Sequence, residues 1–287
     1  MSDQGLAFEV GGKRYVDGEQ IGGGGMATVY SAVDIETGEV VAIKVYREDI
    51  DSRALNSSIM MHKRLIIHGD IPRLHCSDDK SYVMDYVDGV NLRNLQLSDE
   101  SSVLIVGYDV AMCLLNLHEN LPDPIIHRDV KPGNIVVRHD GVSVLVDFDF
   151  AHVDVLSTFR GSENVGTPMF WSPEQICGRQ VKPESDIFSL GSTMYNLLTG
   201  QYLRQPHVRL AIEVALDDLQ ECRSRDIIAR CWRVGTEYRN AFFLSEDIHT
   251  ALEESGVDIE GSRRALADLV KESKHDSGAD NLYEGVG

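Results

Sequence analysis

Between Phe8 and Val45 apolar and polar positions alternate in short runs broken by glycine, as in "FEVGGKRYVDGEQI" and "ATVYSAVDIETGEVVAIKVY". A period of two with turn residues such as "IETGE" predicts antiparallel hairpins. The period then lengthens in "SRALNSSIMMHKRLIIHG", which reads as a helix ended by Gly69, and returns to strand texture in "PRLHCSD" and "KSYVMDYV". Beyond Asp88, "SVLIVGYDVAMCLLNLHEN" sets Val103, Val106, Val110, Leu114 and Leu117 at helical spacing, with Ser101 or Ser102 as the expected N-cap. "ESDIFSLGSTMYNLLTG" and "DDLQECRSRDIIARCW" also read as helices. The pattern predicts an α+β chain, mostly sheet with one main helix first and mainly helical afterwards. From Phe150 to about Arg179 there is little periodicity and much Gly, Ser, Thr and Pro. A loop that long inside a compact domain is commonly functional. The closing "KESKHDSGADNLYEGVG" has no apolar face and is expected to be a flexible tail.

Composition narrows the class. With 287 residues, 43% of them hydrophobic, the chain can bury one large core or two modest ones. Its 27 basic residues face 46 acidic ones, a formal charge of -19 spread along the chain, and such a field repels nucleic acid and anionic lipid. The 5 cysteines (Cys76, Cys113, Cys177, Cys222, Cys231) include no C-x-x-C pair, which fits reduced thiols rather than a disulfide frame or a zinc site. "MSDQGLAFEV" is no leader pattern, and no run approaches the roughly 18 consecutive apolar residues that span a bilayer. The expectation is a cytoplasmic protein without direct membrane insertion.

Four segments carry candidate chemistry. "IGGGGMATVY" places glycines between two strands, where N–H groups can press against phosphate oxygens, although a glycine cluster is as often a plain hairpin turn. In "VVAIKV", Lys44 sits on a strand whose neighbours face the core, so its ammonium either meets an anion such as phosphate or snorkels to water. "IIHRDVKPGNIVV" brackets His127, Arg128, Asp129, Lys131 and Asn134 between apolar runs, gathering an acid, cations and an amide on one loop. Finally "VLVDFDF" ends an apolar strand in two carboxylates, Asp147 and Asp149.

Together these segments resemble the protein kinase family. The loop has its H-R-D-x-K-x-x-N pattern, Lys131 gives the Ser/Thr-type spelling, and the other signatures follow in the family's order over roughly Phe8 to Leu252. "SYVMDYVDGVNLRNL" is especially similar to the bacterial eukaryotic-like Ser/Thr kinases. The resemblance implies a two-lobed fold with an N-lobe over residues 1–86, a helical C-lobe over 87–261 holding an activation segment at about 147–174, and a flexible tail over 262–287.

It also implies roles. Asp129 orients the acceptor hydroxyl and takes its proton, Lys131 steadies the transferring phosphoryl group, and Lys44 grips the α and β phosphates of ATP. Asn134 and Asp147 hold Mg²⁺. Ile21, Gly22, Gly24, Val29 and Ala42 cover the nucleotide, Met84 is the gatekeeper, and the backbone of Asp85 and Val87 meets adenine. In "GTPMFWSPE", Thr167 sits near Asp129 and Lys131, and Ser172 stands in an alanine place. Ser157, Thr158 and Ser162 are candidate phosphate sites for Arg128. Asp186 braces the catalytic loop, and Arg239 pairs with Glu174. Protein substrates, the chain itself among them, are the implied partners, with a regulatory protein or a second kinase copy as further ones.

Three departures from the family pattern stand out. Ala27 occupies the third glycine place, a change expected to stiffen that loop. No acid occurs between Asp51 and Asp70, so Ile59 or Met60 falls where the family has the helix glutamate that pairs with the strand lysine. Lys44 is then left to Asp147, Glu48, Asp49 or ATP. Asp149 replaces the glycine of D-F-G, and the expected effect is a stiffer activation segment rather than a second catalytic acid. The missing glutamate raises a pseudokinase that signals by shape as an alternative, and D-x-D raises a small-molecule kinase of the aminoglycoside phosphotransferase kind.

Overall fold

The computed structural model describes residues 5–65, 71–97, 99–119, 123–153, 166–220, 222–233, 237–276 and 283–284. The candidate phosphate sites Ser157, Thr158 and Ser162 lie outside these residues.

The first part is one antiparallel sheet. Its strands are β1 (Leu6–Val10), β2 (Lys13–Gly23), β3 (Ala27–Asp34), β4 (Val40–Tyr46), β5 (Leu74–Ser77) and β6 (Ser81–Asp85), in the order β1-β2-β3-β4-β6-β5. β4 is central, paired with β3 and β6 and buried from Val41 to Lys44, as its apolar run requires. Helix α1 (Ser52–Leu65) follows β4. Ala27 begins β3 opposite Tyr46, and Gly24 N–H closes the glycine turn on its carbonyl at 2.8 Å.

The second part is mainly helical. A short sheet, β10-β9-β7, joins β7 (Gly89–Asn91), β9 (Ile135–Arg138) and β10 (Ser143–Leu145), while β8 (Ile125–Ile126) pairs with β11 (His152–Val153). The central helix α2 (Glu100–His118) has 19 residues. Its cap is Asp99, not Ser101 or Ser102, because that carboxylate accepts both the Ser102 N–H at 2.8 Å and the Ser102 hydroxyl at 2.7 Å. Among the described residues α2 is the one helix long and apolar enough to cross a membrane, and 72% of its most apolar window is buried inside the molecule, as suits a core helix.

Around α2 stand α3 (Pro173–Ile176), α4 (Pro183–Thr199), α5 (Arg209–Asp217), α6 (Ser224–Cys231), α7 (Ala241–Glu254) and α8 (Ile259–Asp276). "DDLQECRSRDIIARCW" therefore holds only the last residue of α5, Asp217, and then all of α6, not one continuous helix. Glu100 Oε1 accepts the Ser224 N–H and hydroxyl, both at 2.7 Å, and starts α6 afresh. The tail boundary also moves. Residues 262–276 belong to α8, whose Leu266 and Val270 are buried in the C-lobe core, so the apolar stripe continues past the expected end at 261. The backbone of β12 (Tyr283–Glu284) pairs in parallel with Gly22 and Gly23.

Candidate active site

The catalytic loop lies between β8 and β9, and one buried carboxylate fixes its shape. Asp186, fully buried near the start of α4, accepts the backbone N–H groups of His127 and Arg128, each at 2.8 Å, and faces His118 Nε2 at 3.0 Å. This bracing holds Arg128 at a φ of 70°, a left-handed conformation that costs a non-glycine residue about 1–3 kcal/mol. Such strain persists where the surroundings over-determine it.

Beyond Arg128 the loop turns its functional groups inward. Asp129 is buried, with Lys131 Nζ 2.9 Å and Asn134 Nδ2 2.8 Å from its Oδ2, while its Oδ1 accepts the Thr167 N–H at 2.8 Å. Lys131 also donates to Thr167 Oγ1 at 2.6 Å, so loop and activation segment meet at the carboxylate. Gly166 makes that approach possible: its φ is 96°, and a Cβ there would lie 2.8 Å from the Arg128 carbonyl. Asn134 gives its NH₂ to Asp129, which leaves the amide oxygen for a cation.

Lys44 is buried on β4 and reaches two carboxylates, Asp147 at 2.8 Å and Asp149 at 2.7 Å. Burial alone would lower the pKa of this ammonium, but the two carboxylates override it and raise it well above the usual lysine value. Burial pushes the other way on Asp147, yet Lys44 and then Lys131 hold its carboxyl down at about 2. The Asp147 side chain is 36% exposed and opens to the cleft, whereas that of Asp149 is 5% exposed. Phe148 is fully buried, edge-on to His127 at 4.8 Å and to His62 of α1 at 5.9 Å. Burial lowers the pKa of both histidines below the usual imidazole value.

Above the loop, Ile21, Val29, Ala42, Met84 and Val87 form one buried cluster with Val136, Val144 and Val146 from the other lobe. That apolar cluster joins the two sheets beside Lys44 on β4 and Asp147, which follows Val146 directly. Gly22 lies one residue before the end of β2, close to the turn at Gly24, and Asp85 closes β6, its side chain tied to Arg73. Among the described residues no group of three or more His, Cys, Asp or Glu could hold a metal, so a cation here would share Asn134 and Asp147 with phosphate oxygens. A groove of about 750 Å³ adjoins Lys131 and Thr167 and runs along Leu95, Phe170 and Tyr202. A cavity of about 800 Å³ opens behind Asp85, against Arg138 and Arg263, away from the catalytic loop.

Two expectations need correction. The partner of Glu174 is Arg233, not Arg239, which is exposed; burial would raise the Glu174 carboxyl, but Arg233 pulls it below the usual value. The α1 residue facing Lys44's partner Asp149 is Ser58, since Ile59 packs into the apolar cluster and Met60 is 59% exposed. The backbone at Asp149 is not left-handed; the positive φ falls at Asp147, at 63°. Ser172, the alanine-place departure, caps α3 in a reciprocal box with Gln175, which in turn donates to the Arg128 carbonyl at 2.9 Å. Tyr46, Ser58, His62 and Tyr82 were not singled out by sequence reasoning. Only Tyr46 had a signal there, two residues along the strand from Lys44 and hence on its face.

A twisted sheet closing over a helical lobe, with this loop between them, defines the class. The protein kinase domain matches residues 15–249, and the chain belongs to the protein kinase family. It is 33% identical over 207 residues to serine/threonine-protein kinase PknB of Mycobacterium leprae (strain TN), covering 66% of this chain and 33% of that protein. Probable serine/threonine-protein kinase PknB of Bifidobacterium longum (strain NCC 2705) is 33% identical over 216 residues, covering 66% and 31%. Serine/threonine-protein kinase PAK 1 of Mus musculus is 29% identical over 247 residues, covering 80% and 45%. The matches thus span between 31% and 45% of these curated relatives.

Proposed function

We propose that the protein transfers the γ-phosphoryl group of ATP to serine or threonine hydroxyls of proteins, itself included, with Mg²⁺ as cofactor and in a cytoplasmic setting. The observation that carries this reading is Asp129, held by Lys131, Asn134 and the Thr167 N–H, together with the pair of buried Lys44 and cleft-facing Asp147. Family membership and the relatives' names support it, and five free thiols support a reducing compartment.

Phosphoryl transfer asks a protein for alignment and charge neutralisation more than for covalent chemistry. Asp129 orients the acceptor hydroxyl and receives its proton as the new O–P bond forms. The bond from γ-phosphorus to the bridging oxygen breaks, and ADP leaves with that electron pair. Lys131, fixed by Thr167, offers its ammonium to the moving phosphoryl group, and Lys44 offers its own to the phosphates behind it. Magnesium bound through Asn134 and Asp147 would supply further neutralisation of phosphate charge. Ile21, Val29, Ala42, Met84 and Val87 exclude water around the base. The groove beside Thr167 is an extended surface, which supports a polypeptide acceptor over a small alcohol.

The test is γ-labelled ATP with Mg²⁺, wild type beside Asp129→Asn, offered the protein itself, a generic protein acceptor and a panel of small alcohols. Label on protein serine or threonine that disappears in Asp129→Asn is the expected result. Label on the alcohols alone, or ATP binding with no transfer, overturns the reading.

A further inference from the structure

In this family's pattern a helix glutamate partners the strand lysine, and this chain has no acid anywhere between Asp51 and Asp70 to do so. Lys44 nonetheless has a second carboxylate 2.7 Å away, from Asp149. We propose that Asp149 is the positioning residue for Lys44, doing from the start of the activation segment what the missing glutamate would do from α1. This inference rests on the kinase reading above.

The surroundings of Asp149 give both of its carboxyl oxygens partners. Oδ2 meets Lys44, and Oδ1 accepts from the Tyr46 hydroxyl at 2.7 Å, the Ser58 hydroxyl at 2.8 Å and the Tyr82 hydroxyl at 3.3 Å. A buried carboxylate without such partners would be strongly unfavourable. The donors share one side of the sheet, since Lys44 and Tyr46 are two apart on β4 and Tyr82 is the cross-strand partner of Lys44 on β6. Ser58 adds α1, so a single carboxylate ties two strands, the helix and the activation segment together.

The two aspartates divide the work by exposure. Asp147 opens to the cleft and is the one free to turn toward a cation. Asp149 is enclosed, so Lys44 keeps one partner when Asp147 is engaged elsewhere. Because that partner follows Phe148 directly, any movement of the segment that withdraws Phe148 from its histidine stack also strips Lys44 of its carboxylate. The lysine's order thus depends on the activation segment first and on α1 only through one hydroxyl.

Three variants test this: Asp149→Asn, Asp149→Gly, and Asp149→Gly combined with Ser58→Glu, which returns a carboxylate to the helix. Asp149→Asn keeps an acceptor oxygen and the side-chain volume but removes the charge. It is expected to lower kcat/KM for ATP by roughly 100-fold, as loss of a phosphate-positioning charge does, with Tm within a few degrees of wild type. Asp149→Gly should fall as far, and adding Ser58→Glu should recover at least about tenfold. Wild-type kcat and KM in Asp149→Asn overturn the proposal, as does no recovery in a folded double variant. An Asp149→Asn chain that loses its fold along with its activity also overturns it, since the role would then be structural. A wild type that binds ATP but transfers nothing instead removes the kinase reading, an outcome distinct from all of these.

Discussion

At the scale of single residues, Asp129 and Thr167 divide chemistry from alignment. In the proposed mechanism Asp129 acts on a proton that moves only as the acceptor bond forms, so Asp129→Asn should cut kcat by about 10²–10⁴-fold, the usual worth of a general base, with ATP binding little changed. Thr167 reaches the reaction through Lys131, whose ammonium its hydroxyl accepts at 2.6 Å. Thr167→Val should therefore lower kcat by roughly tenfold, and Thr167→Ser should restore it. Steady-state kinetics on the two variants reads this directly, and equal activity of Val and Ser would remove Lys131's anchor from the account.

At the scale of elements, the Glu174–Arg233 pair links α3 to the end of α6. The Glu174 pKa lies below its ordinary value of 4.5 in the folded state, so the pair's contribution is complete above that pH and is lost as pH falls through the lower, folded value. Arg233→Ala is expected to cost about 1–3 kcal/mol near neutral pH by denaturant titration, because it leaves a half-buried carboxylate unpartnered. The gap to wild type should narrow on acidification, while Arg239→Ala should change stability by less than about 0.5 kcal/mol. α8 makes a second claim. Leu266→Ala should cost about 2–5 kcal/mol if its buried stripe closes the C-lobe core. The reason both features escaped sequence reasoning is the same: "GTEYRNA" matched a family motif, and residues past 261 looked polar, whereas the decisive partners, Glu174 and the core beneath α8, lie far off in the chain. Local periodicity showed the hairpins, α1, α2 and α4 plainly. It could not show where "DDLQECRSRDIIARCW" breaks, because Glu100, more than a hundred positions earlier, starts the second piece.

At the scale of the whole molecule, two lobes share one apolar cluster and one charged cluster, and both are completed across the cleft. The catalytic loop was legible because its residues are contiguous. Asp147 was legible as a partner of Lys44, but Asp149 was not, because Asp149, Tyr46, Ser58 and Tyr82 come from four separate elements and meet only after folding. A ligand bridging the cleft should stabilise the whole: a non-hydrolysable ATP analogue with Mg²⁺ at 100 times its Kd should add about 2.7 kcal/mol and raise Tm. An unchanged Tm at saturation would contradict the shared cleft. The most direct test of the central claim is the single-turnover rate of γ-phosphoryl transfer to protein at saturating ATP and Mg²⁺, wild type beside Asp129→Asn. The account predicts transfer by the wild type, a rate at least about 100-fold lower in the variant, and the same ATP affinity in both. Equal rates in the two proteins, or none in a wild type that binds ATP, would contradict it.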